Sequence, residues 1–326
     1  MLKTHLTELL NIDHPIILAP MGSATSASFA AAASNAGALG SIGSLNRPTG
    51  DVLRDLNMVG DLTSRPFAVN HIPPSLDEEA FKATLSLQPA VISFALGDPG
   101  PLVQRAHEAG SMVMLQVTTV AQAEEGAERG ADIIIAQGGE AGGYGGDIGA
   151  MTLVPQVVDA VAPLPVVAAG GITDGRGLAA ALMLGAAGVN MGTRFLASKE
   201  APIEDGWQQA ILRARAEDAV KAHALNAINP VPGTVGYGTV LRALRSRFLD
   251  EWNSKLEEVA AGRDGLLAEM ATAARERRRQ EAIAGAGQSA GAIRDVLPVA
   301  EIIEGMTSQA EALLAGGGGY RKSDSG

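Results

Sequence analysis

The sequence predicts an α/β protein with a (β/α)8 barrel, the TIM-barrel architecture. Eight short apolar segments occur over about 190 residues, and a segment of helical character follows each of the first seven. The sixth contains Ile133, Ile134 and Ile135 in succession, which is typical of a parallel strand buried on both faces. A doubly wound sheet of six or seven strands is the alternative, because a miscount of one strand would make the two folds hard to distinguish.

The predicted strands are separated by recognisable helix and turn signals. The strands comprise residues 16–21, 38–42, 67–70, 90–96, 112–117, 131–136, 165–169 and 187–191. The helices between them comprise residues 26–35, 48–57, 76–87, 102–109, 121–129, 155–161 and 177–184. Gly37 and Gly130 each end a helix, and Pro73 with Pro74 breaks the chain before another.

After the eighth strand the pattern changes to helices without strand partners. These amphipathic segments would form a lid over the barrel mouth, and a loop at 230–238 interrupts them. They comprise residues 201–213, 216–226, 240–256 and 266–283, and a further helix follows at 298–314. The predicted organisation is a barrel at 1–198, a helical lid at 199–283, a segment returning to the barrel at 284–314, and a disordered tail at 315–326.

Composition and charge exclude several classes of function. The 326 residues carry a net charge of -11 and only 3% aromatic residues, which disfavours nucleic acid as a partner. No apolar run reaches the ~18 residues of a membrane helix, and no signal-peptide core is present, so we expect a cytoplasmic protein. Without cysteine, and with five scattered histidines, the sequence offers no metal-ligand spacing, so we expect no metal site.

The most informative stretch is the glycine segment, residues 137–146, which directly follows the sixth strand. Six of its ten residues are glycine, and the others include Gln137, Glu140 and Tyr144. Glycine permits positive φ and lets a flat ligand lie directly on the main chain. Because barrels carry their chemistry on the loops after the strands, the segment predicts the floor of a cofactor site. We expect Glu140 to order this loop through backbone N–H groups. A flexible connector is the alternative.

Two further loops predict a phosphate-binding pocket. Gly170 and Gly171 follow the seventh strand, and Gly192 and Thr193 follow the eighth. In barrels these positions bring backbone N–H groups to a phosphate, and Thr193 can add a hydroxyl donor. The absence of a Walker-type Gly-Lys-Ser/Thr sequence favours a bound phosphorylated cofactor over phosphoryl transfer. Ordinary barrel turns are the alternative.

Six motifs together resemble the nitronate monooxygenase family, formerly called the 2-nitropropane dioxygenases. The motifs are residues 19–21, 65–70, 137–143, 168–177, 192–196 and 287–291, and the resemblance covers nearly the whole chain. Broader relatives of the same barrel include flavin-dependent enoyl-acyl-carrier-protein reductases and NADH:quinone reductases. The motifs are specific for the family and less specific for the reaction within it.

The resemblance implies an oxidoreductase whose barrel binds FMN non-covalently. The implied FMN-binding residues are Pro20, Met21, Gly22, Asn70, Gln116, Gln137, Gly142, Gly143, Gly170, Gly171, Gly192, Thr193 and Gln288. The two loops of the predicted phosphate pocket would hold the FMN phosphate. The isoalloxazine would lie near Met21, Asn70, Gln116, Gly142 and Gly143, and Gln288 would return to the cofactor region. The flavin would supply the redox chemistry, while the protein supplies position and hydrogen bonds.

The chain departs from the family at Tyr144, because a histidine usually follows the Glu-Ala-Gly-Gly run. The resemblance implies that this histidine is the base that removes a proton from a neutral nitroalkane. A free tyrosine has a pKa of ~10 and is a proton donor near pH 7. Tyr144 would therefore suit a nitronate, which is already deprotonated and would be oxidised with O2. His71, directly after Asn70, is the rival candidate for a base.

Two other functions stay open on the sequence. Tyr144 could protonate a substrate after hydride transfer from reduced flavin, in an NAD(P)H-dependent enone, enoyl-thioester or quinone reductase. A flavin-binding protein without turnover is the third alternative, because the usual histidine is missing. In each enzymatic case the expected partner is a small-molecule substrate with O2 or NAD(P)H, and a homodimer is compatible with either.

Overall fold

Eight parallel strands close into a barrel in the computed structural model, which describes residues 2–230 and 238–316. The strands of the described ranges, in chain order, are β1 (Ile16–Leu18), β2 (Gly40–Gly43), β3 (Phe67–His71), β4 (Val91–Phe94), β5 (Met112–Val117), β6 (Ile133–Gln137), β7 (Gly143–Gly145), β8 (Val166–Ala169), β9 (Gly188–Met191), β10 (Ala219–Lys221) and β11 (Val240–Leu244). Strands β7, β10 and β11 lie outside the barrel and form a second sheet. The barrel order is β1-β9-β8-β6-β5-β4-β3-β2, and a parallel bridge between Ile17 and Leu39 closes it. The predicted (β/α)8 barrel is therefore confirmed over the doubly wound sheet.

Helices α2 to α8 alternate with the barrel strands and cover their outer faces. The helices are α1 (His5–Leu10), α2 (Ala27–Asn35), α3 (Thr49–Leu62), α4 (Glu78–Leu87), α5 (Leu102–Glu108), α6 (Val120–Glu128), α7 (Ala150–Val161), α8 (Gly175–Met183), α9 (Thr193–Leu196), α10 (Asp205–Arg213), α11 (His223–Ile228), α12 (Arg247–Trp252), α13 (Leu256–Ala261), α14 (Arg263–Arg275), α15 (Arg279–Ala282) and α16 (Val299–Ala315). Of the helices in the described ranges, none is both long and apolar enough to cross a bilayer.

Helix α7 begins at Ala150, five residues before its predicted start at Pro155. The prediction placed the proline in the first turn, where its missing N–H is harmless. Instead Pro155 lies inside α7, where the helix forgoes one i→i−4 hydrogen bond. The longer helix brings its amino terminus close to the glycine segment.

Apolar side chains fill the barrel interior at the amino ends of the strands. One buried cluster combines inward-facing strand residues with residues of α1 and the turn after it. The cluster comprises Leu6, Leu10, Ile12, Ile17, Leu39, Ala68, Val91, Met114, Ile133, Ile135, Val167 and Ala169. Gly188 lacks a side chain where Leu6 enters the barrel, since a Cβ there would lie 2.5 Å from Leu6 Cδ2. Helix α1 therefore closes this end with apolar contacts, and the opposite end carries the polar residues.

The position of the eighth barrel helix is taken by α16, which follows the lid in the sequence. Its side chains Val299, Ile303 and Met306 are buried in the same cluster as the outer faces of β1 and β9. Helix α16 also packs closely against α8. A Cβ on Gly175, the first residue of α8, would lie 2.5 Å from the Met306 carbonyl oxygen, and the Gly175 N–H donates to Gln309 Oε1 at 2.8 Å.

The prediction of a lid made of helices alone was wrong. The lid region contains β10 and β11, which pair antiparallel, and β11 pairs antiparallel with β7 of the glycine segment. Residues 216–226 and 240–256, predicted as continuous helices, each contain one of these strands. The glycine segment is therefore partly a strand of the lid, and Tyr144 lies opposite Leu241 in the sheet register.

Two of the predicted loops fall largely outside the described residues. Residues 231–237 of the predicted loop and 317–326 of the predicted tail are among those not described. Ala315, the predicted start of the tail, is instead the last residue of α16. The domain boundaries at 198, 283 and 314 stay predictions.

The contact between α8 and α16 predicts opposite effects for two alanine substitutions. Gly175→Ala should destabilise the protein by about 1–3 kcal/mol, because its Cβ meets backbone that cannot move freely. Gly305→Ala, at an exposed position of α16 with no atom within 4 Å of the new Cβ, should stabilise it by about 0.5–1 kcal/mol. Urea denaturation of both variants tests this, and equal midpoints would contradict it.

Candidate active site at the carboxyl end of the barrel

A layer of polar side chains lies inside the barrel, at the carboxyl ends of the strands. Each member lies two residues after an inward-facing position, so strand alternation points it inward as well. The polar layer comprises Ser41, Asn70, Ser93, Gln116, Gln137 and Asn190. Branched apolar side chains ordinarily fill a barrel interior. This layer therefore marks the carboxyl end of the barrel as the end that can interact with polar groups.

Four members of the polar layer are linked by hydrogen bonds. Asn70 Nδ2 donates to the Ser93 hydroxyl at 3.1 Å and to the Ser93 carbonyl at 3.2 Å. Gln116 Nε2 donates to Gln137 Oε1 at 3.1 Å, and Gln137 Nε2 donates to the Gly142 carbonyl at 3.5 Å. The last bond joins the polar layer to the glycine segment. Three residues that the family resemblance implied for the cofactor site, Asn70, Gln116 and Gln137, thus lie together in the polar layer.

Two members of the polar layer lack partners. Ser41 Oγ and Asn190 Oδ1 are buried and make no hydrogen bond within the described part of the chain. An unpaired buried polar atom costs about 1–3 kcal/mol, and native proteins ordinarily satisfy such atoms with protein, water or ligand. The polar layer therefore fits a ligand that presents polar atoms to the barrel interior.

Glu140 holds the glycine segment against α7 and against the segment that follows the lid. Its two carboxylate oxygens accept the Ala150 N–H, the first of α7, at 2.9 and 3.1 Å. Its carbonyl accepts the Gln288 N–H at 2.9 Å. The carboxylate satisfies one of the free donors at a helix start, so the structure gives Glu140 the ordering role rather than that of a base. The hydrogen bond to the Glu140 carbonyl also places Gln288 beside the glycine segment.

Gly142 and Gly287 let two stretches of main chain touch. A Cβ on Gly142 would lie 2.6 Å from the Gly287 nitrogen, and a Cβ on Gly287 would lie 2.6 Å from the Glu140 carbonyl oxygen. The Gly287 N–H donates to Thr193 Oγ1 at 2.9 Å. Gly142 is thus required by packing, whereas Gly143, at φ +75°, has nothing within 4 Å of a Cβ and faces open space.

The loops of the predicted phosphate pocket adjoin the glycine segment. Gly170 has φ +101°, and a Cβ there would lie 3.1 Å from the Ala141 nitrogen and from the Gly138 carbonyl oxygen. Gly171, at φ +74°, is exposed at the mouth. Gly192 precedes α9, and a Cβ on it would lie 3.0 Å from Met21 Sδ. The loops after β6, β8 and β9 therefore converge on one surface.

The loop after β1 completes this surface from the far side. Pro20 and Met21 are half-buried, and Gly22 has φ +54°. A Cβ on Gly43, at the end of β2, would lie 2.7 Å from the Gly22 nitrogen and 3.2 Å from the Met21 nitrogen. Met21 therefore lies between the loop after β2 and Gly192. The mouth is lined with main chain on three sides, as close approach of a flat ligand requires.

Tyr144 reaches across the mouth from β7. Its half-buried ring packs against an apolar cluster of Ile72, Ala95 and Leu96, which lie just after β3 and β4. Leu96 adopts φ +62°, a left-handed conformation that bulky residues rarely take and that is common near functional sites. Burial raises the pKa of the Tyr144 phenol above its ordinary value. Near neutral pH the phenol is therefore a proton donor and not a base.

His71 lies away from the mouth, although it directly follows Asn70. Strand alternation turns its side chain outward, where Nε2 is 2.9 Å from the Thr84 hydroxyl of α4. The ring is 1% exposed and packs edge-on against Phe81 at 5.1 Å between centroids. Burial lowers the pKa of His71 to about 4. This placement does not bring His71 to Tyr144, and it favours a packing role over that of a base.

Several residues at or near the mouth were not found from the sequence. Ser41, Ser93 and Asn190 sit inside the predicted apolar strands, and counting two residues on from an inward neighbour would have revealed them. The chain carried no signal for Lys221 and Arg242, which contact the glycine segment from β10 and β11. Their role depends on a strand pairing between residues far apart in the sequence.

The fold and the polar mouth define a class of enzymes built on the (β/α)8 barrel. The solved structure of FabK from Thermotoga maritima matches this chain with a TM-score of 0.88 and 32% sequence identity. The match covers 98% of this chain and 100% of that one. The fold is thus shared with a solved protein over nearly the whole chain.

A sequence profile described as nitronate monooxygenase matches residues 3–83 and 77–309 of this chain. The chain belongs to the nitronate monooxygenase family. A probable nitronate monooxygenase from Staphylococcus aureus is 32% identical over 296 residues, covering 76% of this chain and 80% of that protein. The family resemblance expected from the six motifs is therefore confirmed.

A second relative carries the name of a different reaction. The (3aS,4S,5R,7aS)-5-hydroxy-7a-methyl-1-oxo-octahydro-1H-indene-4-carboxyl-CoA dehydrogenase of Mycobacterium tuberculosis is 38% identical over 223 residues. The match covers 67% of this chain and spans only 62% of that relative's length. Both names are those of oxidoreductases, which supports the expectation that this chain is an enzyme.

The buried position of His71 predicts a specific pH dependence of stability. Its pKa is lower in the folded than in the unfolded chain, so protons bind the unfolded state and stability falls as the pH drops from about 6.5 to about 4. Between pH 7 and pH 5 this group alone should remove about 2 kcal/mol. In His71→Gln that part of the loss should vanish, as measured by urea denaturation at both pH values.

The same variant separates packing from catalysis. His71→Gln should retain turnover, because the side chain faces α4 and not the mouth. Loss of turnover in a variant that remains folded would instead support the hypothesis that His71 is the catalytic base.

Proposed function

We propose that this protein is an FMN-dependent oxidoreductase that oxidises alkyl nitronates with O2. The observation that carries the proposal is the convergence of the loops after β6, β8 and β9 above a polar layer. These loops expose glycine main chain, and the layer below contains two buried atoms without partners. Family membership supports a flavin at this surface.

The residues present fit FMN. Gly170, Gly171, Gly192 and Thr193 would hold the phosphate, since both loops offer main chain without side chains and Thr193 adds a buried hydroxyl. The isoalloxazine would lie near Met21, Gly143 and the polar layer, whose amides and hydroxyls can pair with its polar edge. Pro20, Gly22, Gly142 and Gln288 shape this surface from behind. FMN, when bound, supplies the redox chemistry.

Tyr144 decides which form of substrate the site accepts. Its pKa is raised by burial, so it keeps its proton near neutral pH and cannot remove one from carbon. A nitronate is already deprotonated and gains from a phenol that donates to its anionic oxygen. The apolar cluster around the ring keeps water from competing for this donor. The site therefore suits anionic nitronates better than neutral nitroalkanes.

A second function is favoured by a specific similarity. The relative from Mycobacterium tuberculosis is named a carboxyl-CoA dehydrogenase, which acts on a thioester and not on a nitro compound. A phenol with a high pKa also suits an NAD(P)H-dependent enone, enoyl-thioester or quinone reductase, where Tyr144 would deliver a proton to the substrate. The second candidate is therefore a reductase that uses the same mouth and the same donor.

A cofactor and reductant assay tests these proposals. The purified protein should be yellow or take up added FMN, and nitronate anions should bleach its flavin absorbance in anaerobic stopped-flow mixing. NADH and NADPH should bleach it much more slowly. Rapid bleaching by a pyridine nucleotide and none by nitronates would select the reductase. A protein that binds FMN but responds to neither would be a flavin-binding protein without turnover, and one that refuses FMN would overturn all three.

Substitutions at Tyr144 test its role as donor. Tyr144→Phe should preserve packing and FMN affinity while lowering kcat with nitronate by about 10- to 100-fold, because the donor to the nitronate oxygen is lost. Tyr144→His should add activity on neutral nitroalkanes that rises with pH through about 6.5. Full turnover by Tyr144→Phe would refute the donor role.

A further inference from the structure

The strand that presents Tyr144 is held from outside the barrel by a buried arginine. Arg242 of β11 donates Nε and Nη2 to the Gly139 carbonyl at 3.0 and 2.7 Å. Its Nη1 donates to the Ala219 carbonyl at 2.5 Å. The residue is 9% exposed and lies opposite Gly143 in the sheet register. One guanidinium thus joins the glycine segment to the lid sheet through main chain alone.

A lysine holds the other side of Tyr144. Lys221 Nζ donates to the Gly145 and Gly146 carbonyls, both at 2.7 Å, and lies 3.6 Å from the Asp147 carboxylate. Lys221 is paired with Arg242 across β10 and β11. Strand alternation places both cations on one face of the small sheet and Tyr144 with Leu241 on the other.

The arrangement is electrostatically costly, which indicates a purpose other than stability. Within the described ranges no carboxylate lies within 4 Å of Arg242, and the only one that close to Lys221 belongs to the exposed Asp147. Burial lowers the pKa of both cations, and the Arg242 charge lowers that of Lys221 further. The Asp147 carboxylate opposes the shift of both cations and the Glu140 carboxylate opposes that of Arg242, so the charges are offset only in part. Buried charges without close counter-ions, and like charges opposite each other, both cost free energy. Carbonyl dipoles of the glycine segment offset this cost.

The glycine segment needs such an external support. Six of its ten residues have no side chain to restrict the backbone, so its ordered state carries a large entropic cost. Tyr144 lies between the carbonyls bound by Arg242, at Gly139, and those bound by Lys221, at Gly145 and Gly146. The two cations therefore fix the main chain on both sides of the phenol.

We propose that Arg242, together with Lys221, is a positioning residue that fixes the Tyr144 phenol over the mouth. Neither cation touches the mouth, and both act through the carbonyls of the glycine segment. The role in turnover rests on the proposed function of Tyr144, whereas the role in ordering the segment does not. A purely structural role in the lid is the competing explanation.

Hydrogen exchange of the protein without added cofactor tests the ordering directly. In Arg242→Met, amides of residues 138–147 should exchange at least several-fold faster than in the wild type. Arg263→Met is the matched control, since Arg263 of α14 also donates to a lid carbonyl, that of Ile228, at 2.7 Å. It should leave residues 138–147 unchanged. Lys221→Met, at a less buried site, should give a smaller increase in the exchange rate at Gly145 and Gly146. This variant replaces Arg242→Met in the test if Arg242→Met does not fold.

A kinetic cycle tests whether the ordering reaches Tyr144. Arg242→Met should lower kcat by about tenfold with little change in KM, because the Tyr144 phenol would no longer be held in the position from which it donates to the substrate. Arg242→Lys should recover part of kcat, because one ammonium can still reach a carbonyl. In a Tyr144→Phe background, Arg242→Met should cause no further loss.

The outcomes separate this inference from the proposed function. Unchanged exchange at 138–147 in both Arg242→Met and Lys221→Met, or equal loss of kcat with and without Tyr144, would overturn the positioning role. A wild-type protein that turns over no substrate would overturn the proposed function. The exchange measurement would still decide whether the two cations order the segment.

Discussion

The candidate site depends on one contact, in which main chain meets main chain with no side chain between. Gly142 and Gly287 approach so closely that a Cβ on either would lie 2.6 Å from backbone of the other segment. Thr193 joins the same contact by accepting the Gly287 N–H. The loop after β6, the segment after the lid and the start of α9 thus form a single unit. Glycine here serves assembly of the mouth as much as access for a ligand.

Most of the barrel could be predicted because its strands are apolar runs separated by helices, and that pattern is local. The lid could not be predicted in the same way. Strands β7 and β10 have three residues each, too few for any periodicity. The sequence of β11, with apolar residues around Arg242, suits a helix face equally well. What makes these segments strands is pairing between distant parts of the chain, which a single sequence does not display.

The residues of the candidate site also differ in how well the sequence predicted them. The family resemblance implied Asn70, Gln116 and Gln137, and each is a polar residue at or next to the end of a predicted apolar strand. His71 was proposed because it follows Asn70 at a strand end, but adjacent residues of a strand point to opposite faces, and only one face is the mouth. Asn190 was missed inside a strand whose neighbours are apolar. Sequence reasoning therefore placed these residues at one end of the barrel but assigned the faces of its strands less well.

The placement of α16 has a consequence for how the protein is made. Since synthesis runs from the amino terminus, the ribosome produces all eight barrel strands and then the lid before it reaches Val299–Ala315. Until then, the apolar outer faces of Ile16, Leu18 and Val189 lack the helix that covers them. The nascent barrel therefore exposes apolar surface beside β1 and β9 until α16 has been synthesised. Because α16 follows the lid in the sequence, the outer surface of the barrel is completed only after the lid has been synthesised.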